Sequence, residues 1–181
     1  MTTFPWVTER LRLRDFDDRD REALLDFVRI PGQLRYMVHR LETEPEVDAF
    51  LALARATARA EVRTEWHLAV EERRAPGCIG CVALMSDKAS LTTAELGFWL
   101  RQPVWGKGYA TEASRPLLNW GFKTLRLHRI WAECHDENTA STRVLEKLGM
   151  SFEGLNREHR WVRDHFRSSR VYSILDSEYH A

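Results

Sequence analysis

The chain has 181 residues, 44% of them apolar, and its 27 basic and 27 acidic side chains balance to a formal net charge of zero. That length suits one domain that buries about 70% of its unfolded surface, so residues 1–181 read as a single domain. Balanced charge excludes a general electrostatic grip on nucleic acid or on an anionic membrane. No apolar run approaches the roughly 20 residues that cross a bilayer. Met1 to Trp6 has neither the basic nor the apolar region of a signal peptide. Three cysteines, an odd set, suit reduced thiols. The expectation is a cytoplasmic protein with no nucleic-acid or membrane partner.

Residues 7–14 alternate, with Leu11 and Leu13 on one face and Arg10, Arg12 and Arg14 on the other. This predicts one half-exposed strand with a solvated arginine row. Asp17 and Asp18 precede a helix to about Val28, apolar at Leu24, Leu25, Phe27 and Val28, and Pro31-Gly32 ends it. Residues 33–43 are irregular and hold Tyr36, Met37, His39 and Arg40. Thr43-Glu44-Pro45-Glu46 is a capping box with proline in the first turn, opening a helix to about Val62. Residues 66–71, 78–85 and 92–100, joined by short turns, predict an antiparallel meander whose nearly all-apolar second strand is central.

The meander ends in Glu95-Leu96-Gly97-Phe98-Trp99-Leu100. Trp105-Gly106-Lys107-Gly108-Tyr109-Ala110-Thr111-Glu112 follows, and then a helical pattern of Ala113, Leu117, Leu118, Trp120, Gly121, Phe122 and Leu125. The order is strand, glycine-rich turn, helix. N–H groups at a helix start point outward and carry partial positive charge. Glycines let a phosphate approach them, and Lys107 adds a point charge. The stretch therefore reads as a pyrophosphate cradle. It is not a P-loop, which needs four residues between its glycines and then Lys-Ser/Thr. It is not a dinucleotide turn either, because Thr111 stands where a third glycine belongs.

Residues 129–135 predict a strand. Asn138-Thr139-Ala140-Ser141-Thr142 opens a helix that Gly149 ends, Met150 to Gly154 resumes extended, and residues 166–175 add a last strand. The whole is a mixed sheet with helices on both faces, hence α/β or α+β. Cys78 and Cys81 have a zinc-like spacing but no partner pair and read as core. His135-Asp136-Glu137 has no second ligand cluster and reads as a loop, so no metal is expected.

The loop resembles the acyl-CoA motif Q/R-x-x-G-x-G/A of the GNAT acetyltransferases. Trp105 stands in the Gln/Arg place, Gly106 and Lys107 in the free places, Gly108 at the fixed glycine and Ala110 at the last position. The run from Asn138 through Ser141 and Leu145 to Gly149-Met150 resembles the second GNAT signature. Glu95 to Leu100, the loop and Arg163-Asp164-His165-Phe166 are similar to the RimJ/RimL type of ribosomal-protein N-terminal acetyltransferase. The resemblance implies a mixed, mostly antiparallel sheet of about seven strands. It implies that strands 95–100 and 129–135 splay apart to hold acetyl-CoA. The implied cofactor contacts are backbone groups of Phe98, Trp99 and Leu100, the loop residues Trp105, Gly106, Lys107, Gly108, Tyr109, Ala110 and Thr111, and Asn138 and Ser141. Gly97 would suit a bulge.

Many GNAT enzymes carry a tyrosine acid where this chain has Leu145. The resemblance leaves Ser141 as acid or thiolate stabiliser, the alternative being a capping role with Asn138. Two bases are implied: Glu95, at the common location, and Glu158, two residues before Arg160, which stands where the RimL type has its base. Two residues on a strand share a face. Glu112 reads as a structural acid in the first helix turn. Cys134 reads as a buried strand cysteine, with a covalent acetyl-cysteine route as the alternative. The implied activity is acetyl transfer from acetyl-CoA to an amine by direct attack, the acceptor being a protein or peptide N-terminus. A small-amine acetyltransferase and a non-catalytic acyl-CoA sensor are the alternatives. The aromatic and basic lining at 33–43 and 156–165 argues against a polycation, and an odd edge strand permits a homodimer.

Overall fold

A computed structural model describes residues 6–37, 41–86 and 92–180. His39 and Arg40, and most of the turn read at 86–90, lie outside them. The described chain runs β1 (Trp6–Val7), β2 (Leu11–Asp15), α1 (Arg21–Arg29), α2 (Glu44–Arg59), β3 (Glu65–Glu72), β4 (Ala75–Ser86) and β5 (Thr93–Leu100). It continues through α3 (Tyr109–Lys123), β6 (Arg129–His135), α4 (Thr139–Lys147), β7 (Ser151–Val162) and β8 (His165–Leu175). The strands form one sheet in the order β1-β2-β3-β4-β5-β6-β8-β7. β5 and β6 pair parallel, and every other described pairing is antiparallel. No helix among the described residues is long and apolar enough to cross a membrane.

Eight strands stand where about seven were expected, because residues 7–14 are not one strand. The Thr8 N–H donates to the Leu11 carbonyl at 2.9 Å, and its hydroxyl accepts the Leu11 N–H at 3.0 Å. A threonine that bonds nearby backbone competes with the extended conformation. The turn folds Trp6 back onto Leu13. The arginine row is also not simply solvated. Arg14 is mostly buried and grips Asp20 and Glu71, each at 2.6 Å. Hydrogen bonding to Asp20 leads the causes that hold its guanidinium well above its usual range. Arg10 is taken up below.

Asp17 caps a single 3-10 turn at Asp18–Asp20, and α1 follows it. The Thr43–Glu46 capping box forms as read, and α2 stops at Arg59, short of Val62. The sheet is sandwiched. One apolar cluster joins Leu68, Val82, Leu96 and Ile130 to Leu117 and Leu118 of α3 and Leu145 of α4. The other joins Ala69, Cys81 and Ala83 to Leu24 and Phe27 of α1 and Val47 and Leu51 of α2. Alternation along each strand supplies both faces at once. Cys78, Cys81 and Cys134 are free and buried.

Two local expectations fail. The β4–β5 register runs unbroken through Ala83↔Gly97, so Gly97 makes no bulge. Register shifts lie instead at Val70–Glu72 of β3 and at two places in β7, and the larger of the two in β7 is where Asn156 pairs Ser169 and Arg160 pairs Arg167. Three residues, 157–159, face one. Glu158 has φ 46° and is exposed. A bulge breaks the two-residue period, so Glu158 and Arg160 need not share a face.

Candidate active site

The site begins where the sheet parts. The parallel ladder holds over Thr93↔Arg129, Ala94↔Ile130 and Glu95↔Trp131. Beyond that, β5 stays on β4 as far as Leu100 and β6 stays on β8 as far as His135. The result is a fork between residues 96–100 and 132–135.

Which groups face the fork follows from alternation. The Thr92 carbonyl accepts the His128 N–H at 2.7 Å, so even-numbered backbone groups of β5 face β6. The Arg101 N–H donates to the Ile79 carbonyl at 2.8 Å, so odd-numbered groups face β4. Phe98 therefore turns both N–H and C=O to the fork. The Leu100 carbonyl is already taken, by Trp105 Nε1 at 2.7 Å and Gln33 Nε2 at 2.9 Å. Trp99 is a correction. Its backbone faces β4, and its ring packs on Phe27 at 4.4 Å between centroids.

The turn after β5 has the shape a phosphate cradle needs. Gly106 and Gly108 have φ of 76° and 80°, and Gly108 is the N-cap of α3. Only glycine adopts that region freely. A Cβ at Gly106 would meet nothing within 4 Å, and one at Gly108 would meet Arg10 Nη2 at 3.7 Å. Among the described residues, the N–H groups of residues 106–111 carry no protein acceptor. Open space and unpaired donors at a helix start fit a pyrophosphate. Trp105 departs from the expected role: its indole braces the loop against the end of β5 rather than presenting a donor to a phosphate.

At the other side of the fork, Asn138 Oδ1 accepts the Ser141 N–H at 3.1 Å and caps α4. This bond uses the Ser141 backbone and leaves its hydroxyl out of the cap. Leu145 is 1% exposed and belongs to the core. Cys134 lies 3.7 Å from the Thr142 hydroxyl, and burial pushes its thiol pKa up, which disfavours a thiolate nucleophile. Thr142 carried no signal in the sequence beyond its place after Ser141.

The carboxylates gather on the opposite face. Ala94 and Leu96, like Ile130, Ala132 and Cys134, pack toward α3 and α4, so Glu95, Trp131, Glu133 and His135 occupy the face carrying α1 and α2. Glu95 is half-buried. Burial first, and then the Glu133 charge, push its pKa up, while Arg160 pulls it down. Glu133 Oε1 meets Arg160 at 2.7 Å and its Oε2 lies 4.0 Å from His159 Nε2. His159 also bonds the Ser169 hydroxyl at 3.0 Å. Glu133 escaped the sequence reading because strand alternation alone does not mark an inward acid. Burial lowers the His135 pKa, and the Tyr36 ring lies 5.2 Å from it. Arg167 donates to the Arg35 carbonyl at 2.9 Å and docks that loop over the fork's end. Glu158 donates its N–H to Ser168 and lies outside this cluster. No group of three or more potential metal ligands comes together among the described residues.

A parallel strand pair that parts beside a glycine turn at a helix start offers a slot for an extended ligand that ends in phosphate. Residues 10–151 match the family described as Acetyltransferase (GNAT) domain, and the chain belongs to that family. The GNAT fold uses acetyl-CoA. Among its relatives is the uncharacterized N-acetyltransferase YnaD of Bacillus subtilis, 28% identical over 96% of this chain and 98% of that protein. The crystal structure of a GNAT-family acetyltransferase from Bacillus anthracis superposes with a TM-score of 0.82 at 28% identity, covering 97% of this chain and all of that one. The Escherichia coli ribosomal-protein-serine acetyltransferase is 26% identical over 55% of this chain and 56% of its own.

Proposed function

We propose that the protein acetylates the α-amine of a peptide or protein N-terminus, in the manner of the RimJ/RimL type, with Glu95 as base and Ser141 as partner of the departing sulfur. The observation that carries it is the half-buried Glu95, with its raised proton affinity, at the base of the fork beside Glu133 and Arg160. The similarity to the ribosomal-protein-serine acetyltransferase supports the acceptor class.

Acetyl-CoA supplies the activated acetyl thioester. The N–H groups of Gly106, Lys107, Gly108, Tyr109, Ala110 and Thr111 hold its pyrophosphate, and the Phe98 backbone holds its pantetheine arm with the Leu100 N–H. With the Phe98 C=O on that arm, its N–H would be free to donate to the acyl oxygen, where negative charge develops. Glu95 takes a proton from the attacking amine, directly or through one water. An α-amine has a pKa of about 8, so freeing its lone pair asks little of a carboxylate, whereas a lysine at about 10.4 asks more. As the new C–N bond forms and the C–S bond breaks, the Ser141 hydroxyl donates a hydrogen bond to the sulfur. Asn138 holds Ser141 in place through the helix cap. Glu158, exposed on its bulge, takes no part.

A small cationic amine is the second reading. It is favoured by Glu133, which adds a second acid beside Glu95 where the sequence showed only aromatic and basic side chains. The test is CoA release from acetyl-CoA against peptides with free N-termini and against common small amines. Acetyl found on a peptide α-amine supports the first reading; release with small amines alone replaces it with the second. Ser141→Ala is expected to lower kcat about 10-fold at unchanged CoA affinity, measured by steady-state kinetics and calorimetry. Undiminished turnover removes Ser141 from the mechanism.

A further inference from the structure

The turn between β1 and β2 is stapled to the phosphate loop, and one arginine makes most of the staple. The Arg10 N–H donates to Glu112 Oε1 at 2.8 Å, and its Nε donates to Oε2 at 2.7 Å. The Thr8 hydroxyl donates to the same carboxylate at 2.6 Å. Glu112 lies in the first turn of α3, so these bonds tie the hairpin to the helix start. Burial pushes the Glu112 carboxyl up, but the bonds from Thr8 and Arg10 outweigh it and hold it below its usual value. It is a charged anchor. From that anchor Arg10 Nη1 reaches the Lys107 carbonyl at 3.0 Å, and the guanidinium lies 4.7 Å over the Tyr109 ring. The Tyr109 hydroxyl donates to Glu72 at 2.7 Å, a second tether from β3.

The bond to Lys107 has a consequence at the next N–H. In a planar trans peptide the carbonyl of one residue and the N–H of the next point in opposite directions. Holding the Lys107 carbonyl toward Arg10 therefore turns the Gly108 N–H away from it, toward the open side of the loop. A loop with two glycines at positive φ has much conformational freedom to lose. Ordering it before a ligand arrives removes that cost from binding. We infer that Arg10, anchored on Glu112, is a positioning residue for the cofactor: it holds the Lys107–Gly108 peptide in its anion-binding orientation without itself contacting the phosphates. The inference rests on the phosphate-cradle reading of the loop and is independent of the acceptor.

Calorimetry with CoA and steady-state kinetics with acetyl-CoA test it. Arg10→Ala is expected to raise the CoA Kd and the acetyl-CoA KM together by about 10-fold, with kcat kept within about twofold. Arg10→Lys, which retains charge but cannot span both partners, falls between. Glu112→Gln is expected to weaken binding as well, and the double change Arg10→Ala with Glu112→Gln to cost less than the sum, because each acts through the other. Unchanged CoA affinity in Arg10→Ala, or a fall in kcat as large as the loss of affinity, overturns the positioning role. If Arg10→Ala does not fold, Arg10→Lys and Glu112→Gln decide the matter by the same criteria. Wild-type protein that fails to bind CoA overturns the cradle itself, whereas wild-type binding with an unchanged variant overturns Arg10 alone.

Discussion

Gly108→Asp is expected to weaken CoA binding at least about 100-fold, which is about 2.7 kcal/mol, with the fold intact. Gly108 is the N-cap of α3 in the left-handed region. Aspartate is among the residues that tolerate that region and that cap helices well, so the helix start survives. The new carboxylate projects from a loop whose N–H groups, at residues 106–111, have no protein acceptor among the described residues. Like charges brought together at a binding site cost several kcal/mol. It also stands beside Arg10, whose Nη2 would lie 3.7 Å from the new Cβ, and draws that guanidinium off the Lys107 carbonyl. Calorimetry with CoA reads the affinity and thermal unfolding reads the fold. A folded variant that binds CoA as the wild type does refutes the cradle.

Glu95→Gln is expected to lower kcat/KM by about 10² to 10⁴, the range a positioned base contributes, and to raise thermal stability at pH 7. Both effects have one cause. Burial, reinforced by Glu133 and opposed by Arg160, lifts the Glu95 pKa above 4.5. The folded protein then binds the Glu95 proton more tightly than the unfolded chain does. This group's contribution is fully present below the unfolded value near 4.5, and it is lost as pH rises through the raised folded value. At pH 7 the wild type holds a carboxylate where burial disfavours one, and glutamine removes that charge. The same lift places the acidic limb of the wild-type rate profile above the ordinary glutamate range, and the limb disappears in the variant. Thermal melts and pH–rate profiles of both proteins read these outcomes. Retained activity assigns the base elsewhere, and a lower Tm at pH 7 contradicts the account of its environment.

Local chemistry was legible wherever a short run of residues decides its own conformation. The Thr43–Glu46 capping box, Asn138 as the cap of α4 and the turn at Gly106-Lys107-Gly108 each rest on side chains or dihedrals within a few positions. The meander and the α/β alternation followed from periodicity, since alternation and helical spacing are local as well. The seven-strand count failed at Thr8, where one hydroxyl bonding its neighbour's backbone overrode a good strand pattern.

The sequence by itself determined the fold class, the glycine turn at the start of α3 and the helix that carries Ser141, because these depend on hydrogen bonds and apolar faces repeated at fixed short spacing. Tertiary structure alone decided the site's charged geometry. Arg10 meets Glu112 across 102 positions. Glu133 on β6 is brought to Glu95 on β5 and to Arg160 on β7. Trp105 turns back to the Leu100 carbonyl, and a bulge in β7 leaves Glu158 exposed. Charge pairs act through space and a bulge lifts the residues within it out of the two-residue period, so neither leaves a period in the chain from which its outcome could be read.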